Sequence, residues 1–198
     1  MADDELADYD FVEARTRTIE YEQFNTPARY FSALLTSPPV AAQCVRMGQL
    51  ARRGQLRGSY TDAERELVDV VLGTDLGYNS IFTVHLPDAI AVGVRPEAIL
   101  AIRSGDESEL TDDERQIAAW ARQVVSGSVT DESFAAMVER LGERGTVEFT
   151  AFVAFLFMTI RMWQALGVPE PSDQEIDQLV VGLLDGSMEI PDPTSRIG

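Results

Sequence analysis

Three capping boxes constrain the fold of this chain more than any other feature of its sequence. Each places a Glu three residues after a Ser or Thr, and the pairs are Thr61 with Glu64, Thr111 with Glu114, and Ser172 with Glu175. In such a box the hydroxyl accepts a hydrogen bond from a backbone N–H and the Glu carboxylate accepts one in return, so a helix begins there. Pro38, Pro96 and Pro27 after Thr26 can open further helices, because proline fits the first helical turn.

Apolar residues recur at helical spacing along the chain, and signs of β-strands are scarce. The clearest stripes are Leu67, Val70 and Val71; Ile117, Trp120, Ala121 and Val124; Phe134, Met137, Val138 and Leu141; and Ile176, Leu179, Val180 and Leu183. Residues 147–166 are apolar nearly all round, which is typical of a central helix. Because there is no long alternating run and no Asn-Gly turn, the sequence predicts an all-α fold.

The length of the chain and the composition of its ends predict one domain with a short segment at each end. A chain of 198 residues can bury one sizeable core. Residues 1–25 form an acidic N-terminal extension that we expect to be partly flexible. Residues 26–185 form a single helical domain, and residues 186–198 form a C-terminal tail with little to bury.

The charge balance argues against two classes of partner. The chain has 33 Asp and Glu against 16 Lys and Arg, a net charge of −17, and such a surface repels phosphate backbones and anionic lipids. We therefore predict neither nucleic acid nor membrane as a partner. The uncharged run at residues 149–160 is too short to span a bilayer, and the first residues are acidic, whereas a secretory signal starts basic. These features predict a cytoplasmic protein.

A single cysteine and a single histidine limit the available chemistry. Cys44 cannot form an intramolecular disulfide, and its apolar neighbours are typical of a small core residue rather than of a nucleophile. One His and one Cys cannot assemble an ordinary zinc site. We predict no metal and no organic cofactor, although composition leaves a carboxylate-bound Mg²⁺ or Ca²⁺ open.

His85 is the candidate catalytic residue, and Glu66 is its candidate partner. If the segment around His85 is helical, the imidazole shares a face with Ile81, Phe82 and Ala89 and points into apolar surroundings. Glu66 lies beside the apolar stripe of the preceding helix, and a half-buried carboxylate beside a neutral imidazole makes a proton relay. The alternative is a hydrogen-bonded core histidine, with Glu66 at the solvated edge of its helix.

The spacing of these two residues and several short motifs resemble a known family. Glu66 precedes His85 by 19 positions, and further motifs lie at residues 62–67, 85–89, 91–94, 96–99, 103–105 and 165–169. Their order resembles the alkyl hydroperoxidase D-like and carboxymuconolactone decarboxylase family over residues 26–170. In that family a Glu, a Cys-x-x-Cys pair and a His recur with the same separation. The resemblance implies an alkyl hydroperoxidase D-like helical bundle and a homo-oligomer, either a trimer or a hexamer.

The sequence departs from the family at the redox cysteines. Tyr78 and Ile81 occupy those two positions, so the thiolate that attacks peroxide and the one that resolves the product are both missing. This excludes cysteine-based peroxide reduction and makes the decarboxylase-type branch, which lacks the pair, the nearer relative. The resemblance then implies a decarboxylase, lyase or isomerase that acts by proton transfer on a small organic acid or carbonyl compound.

The predicted site joins three catalytic and three substrate-binding residues, which are His85, Glu66 and Tyr78, and then Arg161, Phe82 and Asn79. His85 is the general acid and base, Glu66 orients and tunes it, and Tyr78 donates a hydrogen bond to a developing oxyanion. Arg161 lies in an apolar helix, where a buried guanidinium needs an anion such as a substrate carboxylate.

Alternatives to these roles stay open at this stage. Arg161 can instead form an ion pair with Glu66, Asp69, Asp75 or Glu148, or extend to solvent at a subunit surface. Tyr78 can be a structural residue. The whole chain can be a catalytically degenerate helical module for assembly or hydrophobic ligand binding. A polar cleft around His85 would favour the enzyme, and a filled, dry site would favour the module.

Overall fold

Helices make up all the regular structure of residues 3–16, 26–52 and 60–190, which are the residues that the computed structural model describes. They are α1 (Asp3–Thr16), α2 (Thr26–Leu34), α3 (Pro38–Arg52), α4 (Asp62–Asp75), α5 (Asn79–Ala91), α6 (Pro96–Ser104), a 3-10 turn (Glu107–Glu109), α7 (Asp112–Ser126), α8 (Asp131–Ala165) and α9 (Asp173–Leu184). The prediction of an all-α fold is confirmed. The helices α2, α3 and α6 begin where the prolines predicted a start.

The capping boxes start helices at the predicted places. At the beginning of α4, α7 and α9, the hydroxyls of Thr61, Thr111 and Ser172 accept from the backbone N–H three residues on, and the Glu there bonds back. A fourth box, Thr130 with Ser133, starts α8. The sequence pattern missed it because Ser replaces the usual Glu at the third position.

The segment predicted as an N-terminal extension contains a helix that packs on the core. Here α1 lies against α3, and Val12 is fully buried. The guanidinium of Arg46 bonds to Asp8 at 2.9 Å and covers the ring of Phe11. Residues 17–25 of the extension and 191–198 of the predicted tail lie outside the described residues. The core of the domain therefore begins before residue 26.

The central helix of the bundle is α4. It contacts α5, α6, α7 and α8, and residues 65–73 within it are all buried. The sequence predicted a central helix at residues 147–166, which include the last part of α8. That expectation is wrong, since Val147 is 68% exposed and Met158 is 42% exposed. A helix that is apolar on every face can bury one side in its own core and the other side against a second protein surface, so composition alone does not place it at the centre of the bundle.

One arginine ties the beginning of α4 to its neighbours. Arg140 of α8 donates to Glu64 in the α4 capping box at 2.8 Å and to Asp113 in the first turn of α7 at 2.7 Å. These bonds hold the first turn of α4 in place. Arg65 and Glu66 directly follow this turn, so the bonds of Arg140 help to fix the position of their backbone as well.

The long helix α8 is interrupted at Gly142, where φ is 73° and ψ is 169°. Glycine adopts this conformation far more readily than other residues, so the helix divides into a part that carries Arg140 and a second part, residues 143–165. By length and composition, α8 is the one helix among the described residues that qualifies as a membrane span. Core helices of soluble proteins meet the same criteria, so the finding is weak evidence for a membrane.

The helices α4 and α5 approach each other closely at Gly73. A Cβ atom at this position would lie 2.9 Å from the backbone nitrogen of Phe82 and 3.2 Å from its Cβ. Backbone atoms cannot move aside unless the whole helix shifts. Gly73 therefore sets the distance between the two helices that carry Glu66 and His85.

Gly73→Ala is expected to lower the free energy of unfolding by about 1–3 kcal/mol, because the added methyl group pushes α5 away from α4. Gly48 in α3 provides the matched control, since a Cβ there would meet the Phe155 ring at an ordinary 3.7 Å. Gly48→Ala is expected to be neutral or to stabilise by up to about 1 kcal/mol, because Ala favours a helix. Urea denaturation measures both changes, and equal stabilities would contradict the close approach.

Candidate active site

His85 and Glu66 meet across the contact between α4 and α5. Glu66 lies in the second turn of α4, and His85 lies in the middle of α5. The imidazole Nδ1 is 3.0 Å from Oε2 of Glu66. Because an ionised carboxylate only accepts hydrogen bonds, Nδ1 carries the proton in this contact. The structure thus brings together the two residues that the family-like spacing paired.

The two side chains differ in their access to solvent. The Glu66 side chain is 3% exposed, and the His85 side chain is 13% exposed. The carboxylate is therefore enclosed by protein, whereas part of the His85 side chain reaches solvent. Glu66 thus holds the ring in one orientation, and part of the side chain stays open to solvent.

Arg65 compensates the charge of Glu66 inside the protein. Its guanidinium donates to Oε1 of Glu66 through Nη2 at 2.9 Å and through Nε at 3.2 Å, and its Nη1 donates to Asp62. The Arg65 side chain is 4% exposed, whereas that of Asp62 is 54% exposed. The enclosed carboxylate needs such a partner, because an unpaired charge in the interior is strongly unfavourable.

Two further carboxylates complete a buried cluster. Asp69, one turn after Glu66 on α4, has a fully buried side chain and places Oδ1 3.6 Å from Nε2 of His85. Asp88, one turn after His85 on α5, is 5% exposed. One donor atom each from Glu66, His85 and Asp88 lie within 4.8 Å of one another. We call Arg65, Glu66, Asp69, His85 and Asp88 the His85 cluster.

The His85 cluster contains three carboxylates and one guanidinium. Each ring nitrogen of His85 faces a carboxylate oxygen, at 3.0 Å for Nδ1 and at 3.6 Å for Nε2. The two carboxylates approach the ring from α4, Glu66 at Nδ1 and Asp69 at Nε2.

The same kinds of donor atom also bind divalent cations. Glu66, His85 and Asp88 would be the ligands of such an ion. Two contacts oppose this use, since Nδ1 and Oε2 share a hydrogen bond and Arg65 binds the other oxygen of Glu66. A cation would have to displace the proton and lie close to a positive charge. We interpret the cluster as a hydrogen-bonded acid–base group.

Tyr78 lies at the start of α5, and its hydroxyl is already engaged. The residue is 1% exposed, and Oη donates to the carbonyl of Val168 at 3.1 Å. Its ring meets Trp163 edge-on, with the ring centroids 6.0 Å apart. Burial raises the pKa of Tyr78 to about 12, so the phenol stays protonated at neutral pH. The predicted oxyanion role would require the bond to Val168 to break.

Asn79 and Phe82, which the sequence predicted to bind substrate, both contact protein groups. The backbone N–H of Asn79 donates to the Glu170 carboxylate at 2.8 Å, and its side-chain amide donates to Asp173 at 3.0 Å. Phe82 is 1% exposed, and the guanidinium of Arg103 lies 5.3 Å from its ring centroid. Both residues join α5 to its surroundings, and their role toward a substrate stays a prediction.

Arg161 lies on the exposed face of α8, which agrees with the alternative of an arginine that extends to solvent rather than with a buried guanidinium. Its Nη1 donates to Oε1 of Gln164 at 2.7 Å, and its guanidinium lies 5.3 Å from the ring centroid of Phe157. Its neighbours in sequence are apolar because they cover the opposite, buried face of the helix. The described contacts of Arg161 are with its own helix rather than with the His85 cluster.

Cys44 is buried, as the sequence predicted, and its surroundings disfavour a thiolate. It is 7% exposed, and burial raises the pKa of its thiol, an effect that the neighbouring Tyr30 hydroxyl partly offsets. A reactive cysteine needs a lowered pKa and access to solvent. The structure therefore gives Cys44 the character of a core residue.

Sequence reasoning missed three members of the His85 cluster: Arg65, Asp69 and Asp88. Helical spacing offered a usable signal for two of them, because Asp69 follows Glu66 by three residues and Asp88 follows His85 by three, so each pair shares a helix face. Arg65 gave no comparable signal. Only the packing around α4 shows that its side chain is enclosed.

No family model, curated protein or solved structure matches this chain. The resemblance to the alkyl hydroperoxidase D-like and carboxymuconolactone decarboxylase family therefore rests on the motifs and their order. Membership of that family stays a prediction.

Proposed function

We propose that this protein is an enzyme that uses no organic cofactor and moves a proton to or from carbon in a small carbonyl compound or organic acid. Decarboxylases, lyases and isomerases carry out such steps. The observation that carries the proposal is the 3.0 Å contact between enclosed Glu66 and partly exposed His85. The proposal places this pair in an alkyl hydroperoxidase D-like bundle of the decarboxylase type, supported by the all-α fold and the order of the motifs.

In the proposed mechanism Glu66 positions the imidazole so that Nδ1 carries the hydrogen and Nε2 the lone pair. Nε2 takes a proton from a carbon next to a carbonyl group, and the electron pair of the C–H bond forms an enolate. The imidazolium then returns the proton to the same carbon or to another one. In a decarboxylation, the C–C bond to the carboxylate breaks, CO₂ leaves, and a protonated His85 supplies the proton to the carbanion.

The charge of the His85 cluster favours a neutral carbonyl compound over an organic acid. Three carboxylates accompany one guanidinium, and Arg161, predicted to hold a substrate carboxylate, lies on the outer face of α8. An anionic substrate would approach negative charge in a region of low dielectric constant. We therefore rank neutral ketones and aldehydes above keto acids as substrates.

A catalytically degenerate module for assembly or hydrophobic ligand binding is the second candidate function. Tyr78 and Ile81, at the positions of the family's cysteines, are 1% and 2% exposed, and Phe82 is 1% exposed. These side chains pack the first turns of α5 into the core. A site that has lost its catalytic residues is expected to be filled by buried side chains, as it is here.

Hydrogen exchange at carbon distinguishes the two functions. We expect the protein, dissolved in D₂O, to accelerate the exchange of the α-protons of acetone or cyclohexanone more than that of the α-protons of pyruvate. Proton NMR follows the loss of signal. If the protein leaves every compound at the exchange rate of the buffer, the enzyme proposal is contradicted and the module is favoured.

A further inference from the structure

One face of α8 is exposed and, apart from Arg161, apolar, which the packing of the described residues does not explain. Its members alternate spacings of four and three residues: Val147, Ala151, Ala154, Met158, Arg161 and Ala165. Val147 is 68% exposed and Met158 is 42% exposed, whereas Phe149, Leu156 and Ile160 on the other side of the helix are buried. We call the six exposed or half-buried residues the α8 face.

We infer that the α8 face binds the α8 face of a second copy of this chain, with the two helices antiparallel. Alternating spacings of four and three form the heptad repeat by which two helices keep one stripe in contact. A surface helix normally carries charges on its outer side, but residues 149–160 have none. On a chain with a net charge of −17, such a face lets two copies meet with little repulsion.

A two-fold axis at the middle of the α8 face pairs small side chains with larger ones. The layers are Val147 with the partner's Ala165, Ala151 with the partner's Arg161, and Ala154 with the partner's Met158. Because every layer sets a short side chain beside a longer one, the helices can approach closely without overpacking. A two-fold axis also makes the contact self-complementary, so one surface serves both copies.

The charge of Arg161 selects the antiparallel orientation. Arg161 follows the uncharged residues 149–160 and is exposed. In a parallel pair, Arg161 would lie beside the partner's Arg161, and like charges repel. In the antiparallel pair, Arg161 lies opposite the partner's Ala151, which keeps the two guanidinium groups about 15 Å apart along the helix axis.

A second copy explains the α8 face better than a lipid bilayer does. The break at Gly142 leaves residues 143–165 as the continuous helix, and this segment contains Arg161 and packs its other side on the core. A helix that spans a bilayer needs about 20 apolar residues in contact with lipid. A second helix needs to cover only the exposed side.

Light scattering coupled to size-exclusion chromatography of the full chain tests the inference. We expect the mass of a dimer, or of a larger assembly with two-fold axes such as a hexamer. Ala154→Glu is expected to weaken association at least about tenfold, because it brings two carboxylates to the centre of the contact. Val181→Glu on α9 is the matched control, since Val181 is 59% exposed and lies outside the face. Circular dichroism verifies that both variants fold.

Three results would overturn the inference: a monomeric wild type at its highest soluble concentration, a trimer, or equal dissociation by Ala154→Glu and Val181→Glu. If the wild type is a monomer, its co-sedimentation with phosphatidylcholine vesicles would show that lipid covers the face instead.

Engineered cysteines test the orientation. The only other thiol among the described residues, that of Cys44, is buried and does not compete in cross-linking at the surface. The combined substitutions Ala154→Cys and Met158→Cys are expected to form disulfides between chains under mild oxidation, because these positions face each other across the axis. Ala154→Cys alone is expected to stay uncross-linked. Cross-linking of the single variant would indicate parallel helices and would overturn the antiparallel arrangement.

Discussion

His85→Gln is expected to slow hydrogen exchange of a neutral ketone by about 10²- to 10⁴-fold, which is the usual contribution of a positioned acid–base group. Gln is similar in size and can still bond to Glu66, but its amide does not take up a proton near neutral pH. Because the chain has one histidine, no other imidazole can replace the lost group. The exchange rate is measured by proton NMR, on protein whose melting curve matches that of the wild type.

Glu66→Gln extends this test to the positioning residue. The Gln amide can donate to Nδ1, which would leave the ring proton on Nε2 and remove the lone pair that the proposed mechanism uses. The loss is then expected to reach as much as about 10⁴-fold. Glu97→Gln, which removes a carboxylate that is 58% exposed, should keep the wild-type rate. Full activity in both cluster variants would exclude the pair from the mechanism and leave the module as the function.

Arg65→Ala is expected to lower the free energy of unfolding by about 3–5 kcal/mol, which is the effect of breaking a buried ion pair. The variant removes the guanidinium that binds Glu66, whose side chain is 3% exposed. It also removes the one positive residue of the cluster and leaves the carboxylates of Asp69 and Asp88 beside that of Glu66. Urea denaturation followed by circular dichroism measures the loss.

Arg115→Ala is the matched control, because residues 61–65 and 111–115 share the pattern Thr-Asp-x-Glu-Arg. Arg115 pairs with Asp112, but their side chains are 46% and 98% exposed, so the loss should stay below about 1 kcal/mol. In a Glu66→Gln background, Arg65→Ala should lower the free energy of unfolding by less than it does in the wild type, because the buried charge of Glu66 is already gone. Equal losses at positions 65 and 115 would contradict a buried ion pair at Glu66.

The helix starts could be predicted from the sequence because a capping box is a local structure. The hydroxyl of Thr61 needs only a backbone N–H three residues away, so the same short pattern has the same effect at Thr111 and Ser172. The pairing of Glu66 with His85 came from the spacing of a family-like pattern. The structure places these two side chains 3.0 Å apart, although their catalytic role stays a prediction.

Burial around the site could not be predicted, because it depends on helices that are distant in sequence. The pattern shared by residues 61–65 and 111–115 yields an enclosed Arg65 and a half-exposed Arg115. The difference arises because four other helices pack on α4. The apolar neighbours of Arg161 left open whether it is buried or extends to solvent, because the side of α8 that meets the core is set by the rest of the bundle.

The ¹⁵N spectrum of the His85 ring tests the pairing with Glu66 most directly, since the chain has a single imidazole. The two neutral tautomers differ in which ring nitrogen carries the proton, and their ¹⁵N shifts differ accordingly. At a pH at which the ring is neutral, a hydrogen bond from Nδ1 to Glu66 predicts the Nδ1-protonated tautomer in the wild type and a changed tautomer in Glu66→Gln. A wild-type ring protonated at Nε2, or ring shifts that Glu66→Gln leaves unchanged, would contradict the pairing on which the proposed chemistry depends.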